Sequence, residues 1–242
     1  MDDWLEFTKE NYARLLRLAK KWEFVSYTGN LDKENIILWR HDVDASVHAA
    51  YCLAEIEETL DVKSTYFFQL GSLFYNVFEK HTYEMIKAIQ GLGHSIGLHF
   101  DPTFYGNISR SETLDKMAYE KHILENLLDT NISAISFHNP EFGNWFNEGS
   151  FVLCGMFNAY SQFLKDNFKY ASDSCGYWRF ESIEKVLQGE YSRLQVLTHP
   201  VWWTAKPLPP REKIKRYAND RARYCLRKYD STLEEMGRKN IS

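Results

Sequence analysis

The chain has 242 residues, of which 44% are hydrophobic, so it is long enough to bury a substantial core in one large α/β domain. Its formal net charge of −4 argues against a chain-wide basic surface of the kind that binds nucleic acid. The N-terminus lacks the basic and then apolar run of a signal peptide. No segment reaches the roughly 20 apolar residues of a membrane span, and the four cysteines form no CxxC pair. Together these features predict a cytoplasmic protein with reduced thiols.

Hydrophobic patterning predicts helices and strands that alternate along the chain. Apolar residues at helical spacing predict a first helix over residues 4–22. Predicted strands then cover residues 36–41, 64–69, 94–100, 132–138, 155–160, 169–173 and 193–199. The predicted helices between them cover residues 45–60, 75–91, 112–128 and 183–188. Short strands separated by helices indicate βα units, so we expect an α/β fold, an irregular (β/α) barrel of about seven mostly parallel strands.

A proline-rich stretch at residues 206–210 ends the predicted barrel. We therefore expect the barrel and its N-terminal helix in residues 1–204, and a helical extension packed on the same domain in residues 205–242. Between Lys206 and Lys239 there are eleven Lys or Arg and five Asp or Glu. A basic helix of this kind suits weak contact with an anionic lipid surface or with a pyrophosphate-bearing sugar, although a solvated helix packed across the barrel is the simpler interpretation.

Polar clusters stand at the ends of five predicted strands. They are Arg40-His41-Asp42-Val43-Asp44, His99-Phe100-Asp101, His138-Asn139, Asp173-Ser174 and His199. Active sites of α/β barrels lie at the carboxyl ends of the strands. Five polar clusters on one rim therefore indicate a functional site there.

The first cluster pairs two carboxylates. Residues two apart in an extended chain share a face, so Asp42 and Asp44 point the same way. Adjacent carboxylates repel each other unless a cation or a proton intervenes. A divalent metal bound by one of them would leave the other ionised and available as a base. The alternative is that both only cap the following helix, which leaves Asp42 without a role.

The second cluster offers an imidazole and a carboxylate on one face. His99 and Asp101 are two apart, and both are reasonable ligands for zinc or a similar transition metal. His94 is five residues before His99 and faces the other side of a strand, so we expect it to be structural, with a hydrogen bond to a neighbouring loop.

The remaining clusters place a histidine after an apolar strand. His138 and His199 are each a candidate ligand or acid–base group if they face a cleft. Trp202 and Trp203 follow His199 and can form an apolar wall beside it. Aromatic residues of this kind either stack on sugar rings or fill the core.

In order and spacing, these motifs resemble the polysaccharide deacetylase family, the NodB-homology or carbohydrate esterase type. The resemblance covers roughly residues 36–204 and rests on Arg-His-Asp-Val-Asp, Thr-Tyr-Phe-Phe, Gly-His-x-Ile-Gly-Leu-His-Phe-Asp and His-Pro-x-Trp-Trp. More narrowly, the strings resemble a subgroup found with bacterial surface-polysaccharide biosynthesis genes. The resemblance implies a carbohydrate N-deacetylase with Asp42 as catalytic base, Asp44 and His99 as metal ligands, and His199 as general acid.

The chain departs from the family pattern at the third ligand. The family's second histidine of that motif is replaced by Thr103, and its third-motif arginine has no counterpart beside His138. We take Asp101 as the third ligand on strand-face grounds, with His138 as the second choice. His138 is then expected to bind substrate together with Trp202 and Trp203.

The sequence therefore predicts a hydrolase that uses a divalent metal, zinc by preference, to remove an N-acetyl group from a sugar. The expected substrate is a nucleotide- or lipid-linked intermediate of surface polysaccharide synthesis, and no nucleic-acid partner is expected. Two alternatives stay open. One is hydrolysis of another C–N bond, in a cyclic imide or ureide, and the other is a metal-free, non-catalytic sugar-binding barrel.

Overall fold

The computed structural model of the protein describes residues 3–241. The outermost ends of the two predicted segments, residues 1–2 and 242, lie outside the described residues. The strands are β1 (Glu23–Phe24), β2 (Ile36–Val43), β3 (Thr65–Phe68), β4 (Ser95–Phe100), β5 (Ala134–Phe137), β6 (Val152–Leu153), β7 (Met156–Asn158), β8 (Lys169–Ser172) and β9 (Arg193–Thr198). The α-helices are α1 (Lys9–Ala19), α2 (Val47–Thr59), α3 (Lys80–Gly91), α4 (Arg110–Leu128), α5 (Gln162–Asn167), α6 (Ile183–Gln188) and α7 (Pro210–Glu235).

All strands join one curled sheet in the order β6-β7-β5-β4-β3-β2-β9-β8, and β1 adds to β2. Every pairing is parallel except the β6–β7 hairpin. Within the described residues the order ends at β6 on one side and at β8 on the other, so the sheet is a half-barrel rather than a closed ring. The predicted α/β class is confirmed. The two strands that the sequence did not predict, β1 and β6, have two residues each.

Strand β2 is longer than predicted. We expected it to end at His41, but it continues to Val43, and all eight of its residues are buried. It lies between β3 and β9, which cover both of its edges. The polar residues near its end are therefore part of the central strand, and strand alternation divides them between the two faces of the sheet.

Helix α7 is attached to the domain mainly through its first half. Ile214 and Tyr217 pack against the core between the sheet and the helices. Farther along, Leu226 and Tyr229 are exposed. Contact of this helix with a lipid surface stays a prediction. None of the helices within residues 3–241 has the length and apolar character needed to span a bilayer.

A buried carboxylate on α2 links two helices to the sheet. Glu57 accepts hydrogen bonds from Tyr12 Oη (2.5 Å), Tyr66 Oη (2.7 Å) and Ser64 Oγ (2.7 Å), and its Oε1 lies 2.8 Å from His41 Nε2. Burial opposes ionisation of this group. The charge of His41 and the hydrogen bonds from His41 and Tyr12 outweigh it and hold the pKa of Glu57 at about 2.

Replacing this carboxylate is expected to destabilise the fold. Glu57→Gln should lower the free energy of unfolding by about 3 kcal/mol at pH 7, because buried donors are left facing an amide. The folded-state pKa lies below the unfolded value, so the contribution is fully present above about pH 4.5 and is lost as the pH falls toward 2. Urea unfolding followed by circular dichroism at pH 7, 4 and 3 measures this effect. The neighbouring Glu58→Gln is the control, because its partner Lys63 and Glu58 itself are exposed, and equal losses in the two variants would contradict the expectation.

Packing against Gly97 in β4 gives a second stability test. A Cβ at this position would lie 2.4 Å from the ring of Phe67 and 3.1 Å from the carbonyl oxygen of Ala134. Gly97→Ala should therefore cost about 1–3 kcal/mol of unfolding free energy through overpacking. Gly91→Ala is the matched control, because no atom lies within 4 Å of a Cβ there, and it should be neutral or stabilising by up to about 1 kcal/mol. Thermal unfolding of both variants measures these effects. An unchanged unfolding free energy in Gly97→Ala would refute the packing argument.

Candidate active site

Three ligand-bearing side chains meet at the carboxyl edge of the sheet. Asp44 follows β2, His99 is in β4 and His138 follows β5, and one ligand atom from each lies within 4.8 Å of the others. Asp44 Oδ1 is 3.0 Å from His99 Nε2 and 3.4 Å from His138 Nδ1. Burial alone would raise the pKa of Asp44, but the hydrogen bonds with His138 and His99 hold it well below its usual range.

The orientation of His99 is fixed from the next strand. Its Nδ1 lies 2.7 Å from Ser136 Oγ on β5. This contact holds the ring so that Nε2 faces Asp44 Oδ1 at 3.0 Å. A buried serine thus fixes the direction in which His99 presents Nε2, the nitrogen that would bind a metal.

These three residues fit a divalent metal. One carboxylate oxygen and two imidazole nitrogens are a donor set that zinc accepts, and three protein ligands leave a position for water or substrate. The predicted capping role of the aspartates does not apply, because α2 is capped by Ser46, whose side chain accepts from Ala49 N at 3.1 Å.

The structure brings His138, rather than Asp101, to Asp44 and His99. Asp101 Oδ1 accepts from the backbone N and the Oγ1 of Thr103 at 2.8 and 2.7 Å, and its Oδ2 accepts from Gln69 at 3.3 Å. The expectation that Asp101 shares a face with His99 assumed a continuous strand. Strand β4 ends at Phe100, so Asp101 lies in the following turn and the alternation no longer applies.

Asp42 lies beside this group on the cavity side of β2. Its Oδ2 is 3.7 Å from Arg40 Nη2 and 3.9 Å from His99 Nδ1, while its Oδ1 has no protein hydrogen-bond partner among the described residues. Arg40 is fully buried and lies over the ring of Tyr160 at 4.6 Å. A buried guanidinium this close stabilises the carboxylate of Asp42.

His199 lies near the second carboxylate oxygen of Asp44 and is held by Asp173. Its Nδ1 is 2.7 Å from Asp173 Oδ1, and its Nε2 is 3.9 Å from Asp44 Oδ2. Burial would lower the pKa of His199, but the hydrogen bond and charge of Asp173 and the charges of Asp44 and Asp42 raise it to about 9. The neighbouring carboxylates therefore favour the protonated form of this imidazole. The sequence marked Asp173 only as a polar residue at a strand end, and its pairing with His199 depends on the parallel contact of β8 with β9.

The two tryptophans after His199 have different environments. Trp202 lines the cavity. Trp203 is fully buried, donates from Nε1 to Asp173 Oδ2 at 2.8 Å, and packs against Phe7. The predicted sugar contact of Trp203 is therefore not supported by its position. Its indole contacts Asp173, the partner of His199, instead of the cavity.

The carboxyl edge of the sheet borders a cavity of about 630 Å³, which is within the usual range for a small-molecule site. Its polar end is formed by Asp42, Asp44, His99, His138 and His199. Its aromatic lining comprises Phe137, Tyr160, Phe168, Tyr170, Phe180 and Trp202. A cavity with a charged end and aromatic walls suits a ligand that has both a polar reacting group and rings with apolar faces.

The sequence matches no known family model and no curated protein. Solved structures with a similar course of the chain include the peptidoglycan deacetylase PdaC from Bacillus subtilis, with 14% identity over 88% of this chain and 98% of that one and a TM-score of 0.43. The chitin deacetylase from the fungal pathogen Colletotrichum lindemuthianum has 12% identity over 82% of this chain and 86% of its own, also with a TM-score of 0.43. A CE4 family pseudoenzyme from Bacillus anthracis has 14% identity over 81% of this chain and 66% of its own, again with a TM-score of 0.43.

Zinc affinity distinguishes the two candidates for the third ligand. His138→Ala should lower the affinity more than about 10-fold, since even loss of a residue that only supports a ligand typically costs 10–100-fold. Asp101→Asn should leave it unchanged, because Asp101 is engaged by Thr103 and Gln69. Competition with a chromophoric chelator measures both constants. The reverse order of effects would restore Asp101 as the ligand.

Proposed function

We propose that this chain is a metal-dependent hydrolase that removes the N-acetyl group of a sugar. The proposal is carried by one arrangement: the carboxylate of Asp42 and the imidazole of His199, which Asp173 holds, both lie next to the same Asp–His–His group. Asp42 Oδ2 lies 3.9 Å from His99 Nδ1, and His199 Nε2 lies 3.9 Å from Asp44 Oδ2. Amide hydrolysis needs a base for the attacking water and an acid for the departing amine, and we assign these roles to Asp42 and His199.

The residues of the chain divide the proton transfers between them. A metal held by Asp44, His99 and His138 would supply Lewis-acid polarisation of the acetamide carbonyl. Asp42 accepts the proton of the attacking water through its unpartnered Oδ1, and Arg40 keeps the carboxylate in place. His199 donates a proton from Nε2 to the amine nitrogen as the C–N bond breaks, while Asp173 holds its Nδ1–H. The products are acetate and the free amino sugar.

The nature of the cavity supports a discrete substrate. Its volume of about 630 Å³ accommodates a sugar with part of a carrier, and its aromatic walls can stack on the apolar faces of sugar rings. We therefore propose a nucleotide- or lipid-linked N-acetylated sugar, with zinc as the metal because imidazole and carboxylate ligands suit it.

Acetate release from N-acetylated sugars and their nucleotide derivatives, with zinc-loaded protein, tests the proposal. Asp42→Asn should lower kcat at least about 100-fold through loss of the base and leave zinc affinity intact. Asp129→Asn, at an exposed position after α4, is the matched control and should retain full activity.

Other outcomes would identify the alternatives. Hydrolysis of ureides or cyclic imides without acetate release would assign the site to another C–N bond. Sugar binding without any hydrolysis, unaffected by Asp42→Asn, would identify a binding protein and overturn the proposal.

A further inference from the structure

His41 is the one polar residue of the first motif that the proposed chemistry does not use. It stands between Arg40 and Asp42 on β2, so strand alternation directs it to the helix side of the sheet. It is fully buried there. Its ring stacks on Tyr66 with centroids 4.2 Å apart and planes 19° from parallel.

Both nitrogens of His41 are engaged. Nε2 lies 2.8 Å from Glu57 Oε1, and Nδ1 lies 2.8 Å from Thr198 Oγ1 on β9. We call these three residues the Glu57–His41–Thr198 chain. With two bonded nitrogens and a stacked face, the imidazole has no freedom to rotate, so it connects helix α2 rigidly to two neighbouring strands.

The Glu57–His41–Thr198 chain lies at a particular place in the sheet, the end of the β2–β9 ladder. The β2–β9 ladder runs from the pair Ile36 and Arg193 to the pair His41 and Thr198. The next residues along the two strands are Asp42 and His199, the proposed base and acid. They lie beyond the last paired residues of the ladder, where backbone hydrogen bonds no longer hold the strands together.

We infer that the Glu57–His41–Thr198 chain positions the proposed base and acid by fixing the separation of β2 and β9 at the point where their ladder ends. The inference rests on the proposed function. Its three members are positioning residues, since they lie on the face of the sheet opposite to the cavity and act through Asp42 and His199.

Thr198 offers the cleanest test, because Thr198→Val keeps the shape of the side chain and replaces the hydroxyl with a methyl group. A displacement of about 1 Å in a catalytic group can cost about 100-fold in rate. Thr198→Val should therefore lower kcat by about 10- to 100-fold, with KM and zinc affinity unchanged. Thr198→Ser, which keeps the hydroxyl, should restore most of the rate. Thr65→Val removes a buried hydroxyl from the adjacent strand, outside the Glu57–His41–Thr198 chain, and should leave kcat unchanged.

Two results would overturn the inference: a wild-type kcat in Thr198→Val, or an equal loss in Thr65→Val. If the wild-type protein releases no acetate from any substrate, the proposed function fails. The position of His199 can then still be followed through the NMR signal of its Nδ1 proton, which lies next to Asp173. That signal should shift in Thr198→Val and return in Thr198→Ser. An unchanged signal would refute the positioning role independently of activity.

Discussion

A central strand that buries three ionisable residues in succession is the constraint around which this protein is built. Burying a polar or charged group is costly unless it has a partner, and this requirement applies separately to Arg40, His41 and Asp42. Alternation places Arg40 and Asp42 on one face of β2, where they pair with each other. It places His41 on the other face, where Glu57 provides its partner. The need for partners on both faces organises the helix layer as well as the cavity.

Much of the architecture could be predicted because short apolar runs alternate with helical ones. That pattern located all the longer strands and the edge of the sheet where Asp42, His99 and His199 meet. It did not reveal β1 or β6, because two residues are too few for a period. It also ended β2 too early, since a change from apolar to polar side chains marks a change of environment but not the end of a strand.

The details of the site were less predictable because they depend on where extended chain stops and on distant partners. The choice between Asp101 and His138 turned on the end of β4 at Phe100, which the sequence pattern does not define to a single residue. The partners of the motif residues are far away in the chain. Thr198 is 157 residues from His41, and Asp173 is 26 residues from His199. Only the strand order brings such pairs together.

The unclosed sheet has a consequence for how the cavity is sized. In a closed barrel the number of strands sets the diameter of the interior. The interior therefore cannot widen unless the strand pairing changes. Here part of the cavity wall comes from the segment that connects β7 to β8 along the chain, residues 159–168. This segment contributes Tyr160, Leu164 and Phe168 to the lining. Insertions or exchanges in that segment can change the volume available to a ligand and leave the strands that carry the reacting groups untouched. Catalytic geometry and substrate size are thus separately adjustable in this fold.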